Sequence, residues 1–251
     1  MTKASLNARL ARGETLIGTW VSCCSVEVAE ALASMGFDWL VVDMEHGTAG
    51  VHEAMAIFAA VERHGCAPMA RLPSADPFLA RRLLDQGAQG IVVPVVESAE
   101  AFSQFARHCL YPPAGRRGVA LGRFDNWGDD FEGYLKGFEP LLVPQIETPA
   151  GIAAAEAISA LPEVGALFFG PYDLSQNLGT PGRFDTPAFR EALETLKAAC
   201  RRHGKAPGGH QVAPDLAALK RMIDDGFRFV AYGTDLIALR HALKGFGDLR
   251  K

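Results

Sequence analysis

A chain of 251 residues with 49% hydrophobic and 22% charged side chains carries enough apolar material for a sizeable core, which excludes a disordered polymer. Its length is close to that of one (β/α)8 barrel, so a single domain over residues 1–251 is expected. The formal net charge of −4 excludes the broad basic face that nucleic acid requires.

The N-terminal stretch MTKASLNARLARGETL lacks the apolar core of a signal peptide, and residues 1–12 are expected to form a short helix outside the barrel. No later run approaches the roughly 18 apolar residues of a membrane span. A cytoplasmic protein without membrane association is therefore expected. Apolar, strand-like runs follow in order: TLIGTWV from 15, WLVVDM from 39, APMARL from 67, GIVVPV from 90, LLVPQI from 141, ALFF from 166, APGGHQ from 206 and then FRFVAYG. Between them lie segments of helical spacing such as SVEVAEALASMG, VHEAMAIFAAVERHG, DPFLARRLLDQG, TPAFREALETLKAACRRHG and PDLAALKRMIDDG, four of which end in glycine after a polar last turn. TDLIALRHALKGFG from 234 supplies the last helix. Eight alternating units argue for a closed parallel (β/α)8 barrel, with a doubly wound open sheet as the alternative because APMARL and APGGHQ are weak strands by propensity. The stretch 111–138, rich in Gly, Pro and aromatics, is expected as an ordered loop over the active face. The five cysteines form neither a CxxC pair nor an even framework and read as packed thiols.

Reacting groups of a parallel barrel sit at the C-terminal strand ends. Trp20 lies near the end of run one, Asp43, Glu45 and His46 follow run two, Arg71 ends run three, Gln145 and Glu147 end run five, Asp173 follows run six, and His210 and Gln211 end run seven. Gln145 and Glu147 share strand parity, so both can face the mouth. With Asp173 they offer hard oxygen donors suited to a divalent cation such as Mg²⁺ or Mn²⁺, although Glu147 and Asp173 could instead be helix-capping acids. His46 can act as acid or base near neutral pH with Asp43 orienting its ring, whereas His52, His64, His108, His203 and His241 fall on helical stretches. Arg71 can grip a carboxylate bidentately or pair with a rim acid. None of these strand ends carries a lysine, so no Schiff-base chemistry is expected.

DMEHG (43–47), ARLP (70–73), LLDQGAQGIVVP (83–94), YPPAGRRGV (111–119), PQIET (144–148) and FFGPYDLSQNLG (168–179) together resemble the HpcH/HpaI family of metal-dependent 2-oxo acid aldolases, in order and over nearly the whole chain. The likeness is strongest to the family's 4-hydroxy-2-oxoheptanedioate aldolases. The resemblance implies a barrel of the phosphoenolpyruvate/pyruvate type, a homo-oligomer that is usually a hexamer with the last helix exchanged between subunits, and a place in the catabolism of aromatic compounds. It makes Glu147 and Asp173 ligands of Mg²⁺, Mn²⁺ or Co²⁺, makes Arg71 and Gln145 contacts to the oxo acid beside Trp20, and makes His46 the base, supported by Asp43. It places Asp85 in a catalytic site completed by an adjacent subunit, and the backbone amides about Tyr172 and Asp173 on the oxo-acid carboxylate. Tyr172, where many relatives carry alanine, and the GGHQV end of run seven depart from the pattern and bear on specificity.

The activity implied is reversible, metal-dependent aldol cleavage of a 4-hydroxy-2-oxo acid to pyruvate or hydroxypyruvate plus an aldehyde. The alternatives are a citrate-lyase-like enzyme acting on a coenzyme A thioester and a non-catalytic 2-oxo acid binding protein. The former would need a basic nucleotide groove, and the latter would be expected to have lost His46.

Overall fold

The structure is a computed structural model and describes residues 4–247, so residues 1–3 and 248–251 of the expected domain and of its N-terminal helix lie outside the described residues. In chain order the elements are α1 (Leu6–Ala11), β1 (Leu16–Val21), α2 (Val26–Ala33), β2 (Trp39–Asp43), α3 (Val51–Glu62), β3 (Ala67–Arg71), α4 (Pro77–Asp85), β4 (Gly90–Val93) and α5 (Ala99–Ala106). After a 3-10 turn at Arg123–Gly128 come α6 (Phe131–Gly137), β5 (Leu141–Ile146), α7 (Pro149–Ser159), β6 (Ala166–Phe169), α8 (Pro171–Asn177), α9 (Pro187–His203), β7 (Ala206–Gln211), α10 (Leu216–Asp224), β8 (Phe229–Thr234) and α11 (Asp235–Ala242). The eight strands close in sequence order into one parallel barrel, so the open-sheet alternative falls.

Strand parity divides the core into two layers. Leu40, Val42, Ala70, Ile91, Leu142 and Leu167 face outward against the helices, while Trp39, Val41, Met69, Val92, Val143, Phe168 and Ala231 fill the interior. Trp39 and Phe229 stack inside with ring centroids 4.3 Å apart. Gly18 leaves the room for this, since a Cβ there would lie 2.0 Å from the Trp39 ring. β7 is a strand despite its Pro and Gly content because both neighbours supply ladders and the packing demands small residues. A Cβ on Gly208 would crowd the Phe168 ring at 3.0 Å, and one on Gly209 would meet Met222 and Phe227 at 2.9 Å.

Helix α1 closes the N-terminal end of the barrel. Leu6 and Leu10 join the interior cluster, Arg9 pairs with Asp38 at 2.8 Å, and Asn7 donates to the carbonyl of Pro140 at 3.1 Å. The stretch 111–138 also lies at this end, which corrects its expected place over the active face. The chain leaves the C-terminal rim of β4, descends through α5, and must start β5 from the bottom, so the whole insertion is an αβ connection. Its contents agree with that position: Arg123 donates to the carbonyl of Gln86 at 3.3 Å, just before β4 begins.

Among the described residues no helix is long and apolar enough to cross a membrane. Cys66, Cys109 and Cys200 are buried, and burial pushes the thiols of Cys109 and Cys200 up to about 12, which makes them inert packing groups.

Candidate active site

The interior parity that gives Trp39–Val41 and Ala67–Met69 continues one step further to Asp43 and Arg71, which are direct register partners across β2 and β3. Their side chains meet as a fork: Arg71 Nε donates to Asp43 Oδ1 at 2.9 Å and Nη2 to Oδ2 at 2.7 Å. Arg71 Nη1 also lies 3.0 Å from Glu45 Oε2, and the guanidinium sits 4.4 Å above the Trp20 ring. The ion-pair alternative for Arg71 is thus realised, and one N–H on each of Nη1 and Nη2 remains for a ligand. Burial pushes the Asp43 carboxyl up, but the Arg71 fork and charge together with two backbone N–H groups outweigh it and hold the group below its ordinary value.

Asp43 does not hold the His46 ring as expected. Asp43 Oδ1 accepts from the backbone N–H groups of Glu45 at 3.1 Å and His46 at 3.2 Å, turning the DMEHG segment tightly, and its remaining capacity goes to Arg71. The His46 side chain is 68% exposed at the rim, with Nε2 3.8 Å from Glu45 Oε2. Gly47 is required by the same turn, because a Cβ there would lie 2.1 Å from the Asp43 carbonyl oxygen.

Across the mouth, Gln145 and Glu147 continue the inward parity of β5 and are both buried. Glu147 Oε1 accepts from the backbone N–H of Val95 at 2.8 Å and Oε2 from the Gln145 amide. Thr148, not Glu147, caps α7, its side chain accepting from Gly151 N–H. The capping alternative therefore fails for Glu147. Asp173 lies in the first turn of α8, exposed, and makes no cap bond. Asn177 Nδ2 reaches the carbonyl oxygens of both Glu147 (3.4 Å) and Asp173 (2.9 Å), tying the two acid-bearing segments together. Gly170 lets them approach: a Cβ there would lie 2.5 Å from Glu147 Oε2.

Burial raises the Glu147 carboxyl above its ordinary value against the hydrogen bonds from Gln145 and Val95, and the like charges of Asp173 and Glu45 add to the rise. Glu45 is raised in the same way, by burial first. A group of carboxylates made uncomfortable by burial and mutual repulsion is what a cation relieves. Gln145 Oε1 is a buried acceptor without a hydrogen-bond partner among the described residues. The donor set of Glu147, Asp173 and an amide oxygen therefore fits a hard divalent ion. No cluster of three or more His, Cys, Asp or Glu ligands occurs among the described residues.

Trp20 and His210, inward on β1 and β7, form the opposite wall. Their rings stack with centroids 5.6 Å apart and 14° between planes, and Trp20 also touches Phe168 at 5.8 Å. Tyr172 is exposed beside the mouth and packs edge-on against Phe184 at 5.2 Å. Asp85 is not brought to this mouth within one chain. It ends α4, which runs from the rim down to the bottom, and there it pairs with Arg117 at 2.6 Å.

Two contributors escaped sequence reasoning in these roles. Glu45, seen only as a rim acid, completes the Arg71 cage, a role that the parity of DMEHG does not reveal. Val95 fixes Glu147 through its backbone in a left-handed conformation, φ +52°, that a β-branched residue gives no sign of in sequence.

The sequence pattern of the HpcH/HpaI aldolase/citrate lyase family matches residues 16–242. A hydroxypyruvate/pyruvate aldolase of Chromohalobacter salexigens is 38% identical over 233 residues, covering 92% of this chain and 91% of that protein. A 4-hydroxy-2-oxovalerate aldolase of Rhodococcus jostii is 35% identical over 234 residues, covering 92% and 90%. The crystal structure of a family protein from Burkholderia cenocepacia superposes with a TM-score of 0.90 at 32% identity, covering 99% of this chain and 100% of that one. The expected family is thereby established: the chain belongs to the HpcH/HpaI aldolase/citrate lyase family.

Proposed function

We propose that the chain catalyses reversible aldol cleavage of 4-hydroxy-2-oxo acids to pyruvate or hydroxypyruvate and an aldehyde. The observation that carries this reading is the pair Glu147 and Asp173 on adjacent strand ends, drawn together by Gly170 and Asn177 and facing the Arg71 cage across the mouth. Glu147, Asp173 and Gln145 Oε1 would hold Mg²⁺, Mn²⁺ or Co²⁺. When bound, such an ion supplies Lewis-acid stabilisation of a developing enolate oxyanion.

The chain's own groups do the rest. Arg71, with two N–H vectors unspent and its charge held in place by Asp43 and Glu45, orients the oxo-acid end. The backbone amides about Tyr172 and Asp173 receive the carboxylate, and Trp20 lines the wall beside Arg71. His46 at the rim takes the C4 hydroxyl proton as the C3–C4 bond breaks and its electron pair passes into the C2–C3 enolate. It returns that proton in synthesis. Asp43 acts as a positioning residue, since its carboxylate fixes the turn that presents His46. The acidic rim disfavours the phosphates of a coenzyme A thioester, and the presence of His46 disfavours a binding protein without chemistry.

The assembly belongs to the same proposal. Helix α11 leaves Leu236, Ile237 and Leu239 exposed, and Leu243 follows, an apolar face suited to exchange between neighbours in a hexamer. Leu121 and Trp127 are exposed on the connection that packs beside Asp85, which supports a contact there that would carry Asp85 to a neighbour's mouth. A cytoplasmic location agrees with a sequence whose cysteines form neither a CxxC pair nor an even framework, and a role in aromatic compound catabolism remains part of the reading. Pyruvate release from a 4-hydroxy-2-oxo acid tests the activity. It should require His46 and be lost on chelation, and unchanged turnover in His46→Ala or after EDTA would overturn the corresponding assignment.

A further inference from the structure

We propose that His210 is a specificity-determining residue whose Nδ1 accepts a hydrogen bond from a substrate hydroxyl, so that the mouth favours hydroxylated substrates over their deoxy counterparts. This inference rests on the aldolase reading above. His210 Nε2 lies 3.0 Å from the carbonyl oxygen of Gly233. A carbonyl only accepts, so Nε2 carries the proton, and in the neutral ring Nδ1 is left with its lone pair. Nδ1 has no hydrogen-bond partner among the described residues and is not sealed from solvent.

The backbone explains why the ring is held so firmly. β8 runs between β7 and β1, and its Gly233, at φ +71°, presents the carbonyl that holds His210 Nε2. Trp20 and His210, inward on the two flanking strands, stack 14° from parallel. The same indole lies under Arg71, so the imidazole is set beside the guanidinium that orients the oxo acid. Crowding around the ring disfavours its charged form, against the Gly233 carbonyl that favours it, and the nearby Arg71 charge adds to the disfavour; the imidazole is thus neutral near pH 7. A neutral Nδ1 with an unspent lone pair complements a hydroxyl, which donates to it. A methyl or hydrogen in its place leaves that acceptor unpaired, which sites of this kind turn into discrimination of about tenfold or more.

The hydroxyl could belong to the oxo acid or to the aldehyde, and two pairs of substrates separate these. Values of kcat/KM would be measured for hydroxypyruvate against pyruvate with one common aldehyde, and for glycolaldehyde against acetaldehyde with pyruvate, in wild type, His210→Phe and His210→Asn. The hydroxyl preference should fall about tenfold or more in His210→Phe in one arm and be largely retained in His210→Asn, whose amide can still accept near the Nδ1 position. The arm that collapses identifies the bearer. Because each ratio is taken within one variant, loss of folded protein cancels. Nitrogen NMR of the wild-type imidazole gives an independent readout, with Nδ1 shifting on addition of the hydroxylated substrate alone. A wild-type ratio near one in both arms, or ratios in His210→Phe within twofold of wild type, would overturn the assignment. Exchange of pyruvate methyl protons by wild type separates the two failures: exchange without a His210 effect sinks this inference alone, and no exchange in the presence of metal sinks the aldolase reading beneath it.

Discussion

Two buried arginine–aspartate pairs sit at opposite ends of the barrel, and their surroundings differ in kind. At the mouth Arg71 forks onto Asp43, meets Glu45, and stays 11% exposed. At the bottom Arg117 is fully buried, pairs with Asp85, and is boxed by Tyr111 and Phe138 at 4.6 and 4.7 Å, with Nε and Nη1 lacking a hydrogen-bond partner among the described residues. The first arginine is balanced by more negative charge than it carries and keeps N–H groups for a ligand. The second is held by ring faces, as an arginine used for packing is. A buried ion pair thus says little alone; the groups around it distinguish a ligand grip from a structural plug.

The largest effect is expected from the acids that face Arg71. Glu147→Gln should lower turnover about 100-fold or more, as loss of a charge-stabilising group does. It should also abolish the rise in Tm expected for wild type on adding Mg²⁺ or Mn²⁺, and a retained rise would remove Glu147 from the proposed metal site. Gly170→Ala, which pushes a Cβ onto that carboxylate, should weaken metal binding about 10- to 100-fold by the same thermal-shift titration.

The arginines can be compared directly by replacing each with methionine. Arg71→Met strands Asp43 and Glu45 and should cost about 3–5 kcal/mol in urea unfolding. Arg117→Met keeps the apolar packing and leaves only the part-exposed Asp85, so a cost near 1 kcal/mol is expected. Equal costs would erase the distinction between the two ends.

A pH slope is expected as well. His210, pushed down to about 4 chiefly by burial, stays neutral in the folded chain while an unfolded histidine takes up a proton near 6.5. The unfolded state then binds more protons between these values, so stability falls as pH drops from about 6.5 toward 4. Unfolding free energies at pH 7 and pH 5 should differ less in His210→Phe than in wild type, and an equal difference would mean that His210 titrates normally.

Much of this arrangement was legible in the sequence because period-two parity is rigid. Once Gln145 is inward, Glu147 must be, and Trp20, Arg71 and His210 follow from their own strands. The barrel was legible from alternation even at β7, where Gly208 and Gly209 oppose strand propensity and interior crowding overrules it. What escaped depends on contacts without a local pattern. The Val95 N–H reaches Glu147 only through a strained backbone, Asp43 spends its oxygens on backbone groups and Arg71 in place of the His46 ring, and the stretch 111–138 falls to the bottom because the preceding helix reverses the chain. Asp85 lies at the bottom of its own chain, paired with Arg117, and the role proposed for it needs a neighbouring subunit, which strand order does not encode.

The central claim is that the mouth makes an enolate from a 2-oxo acid with the help of a cation held by Glu147 and Asp173. Exchange of the pyruvate methyl protons in deuterated water, followed by proton NMR with added Mg²⁺ or Mn²⁺ and again after EDTA, tests it without knowledge of the aldehyde. The account predicts metal-dependent exchange that chelation abolishes and fresh metal restores; no exchange with metal present, or exchange undiminished by EDTA, would contradict it.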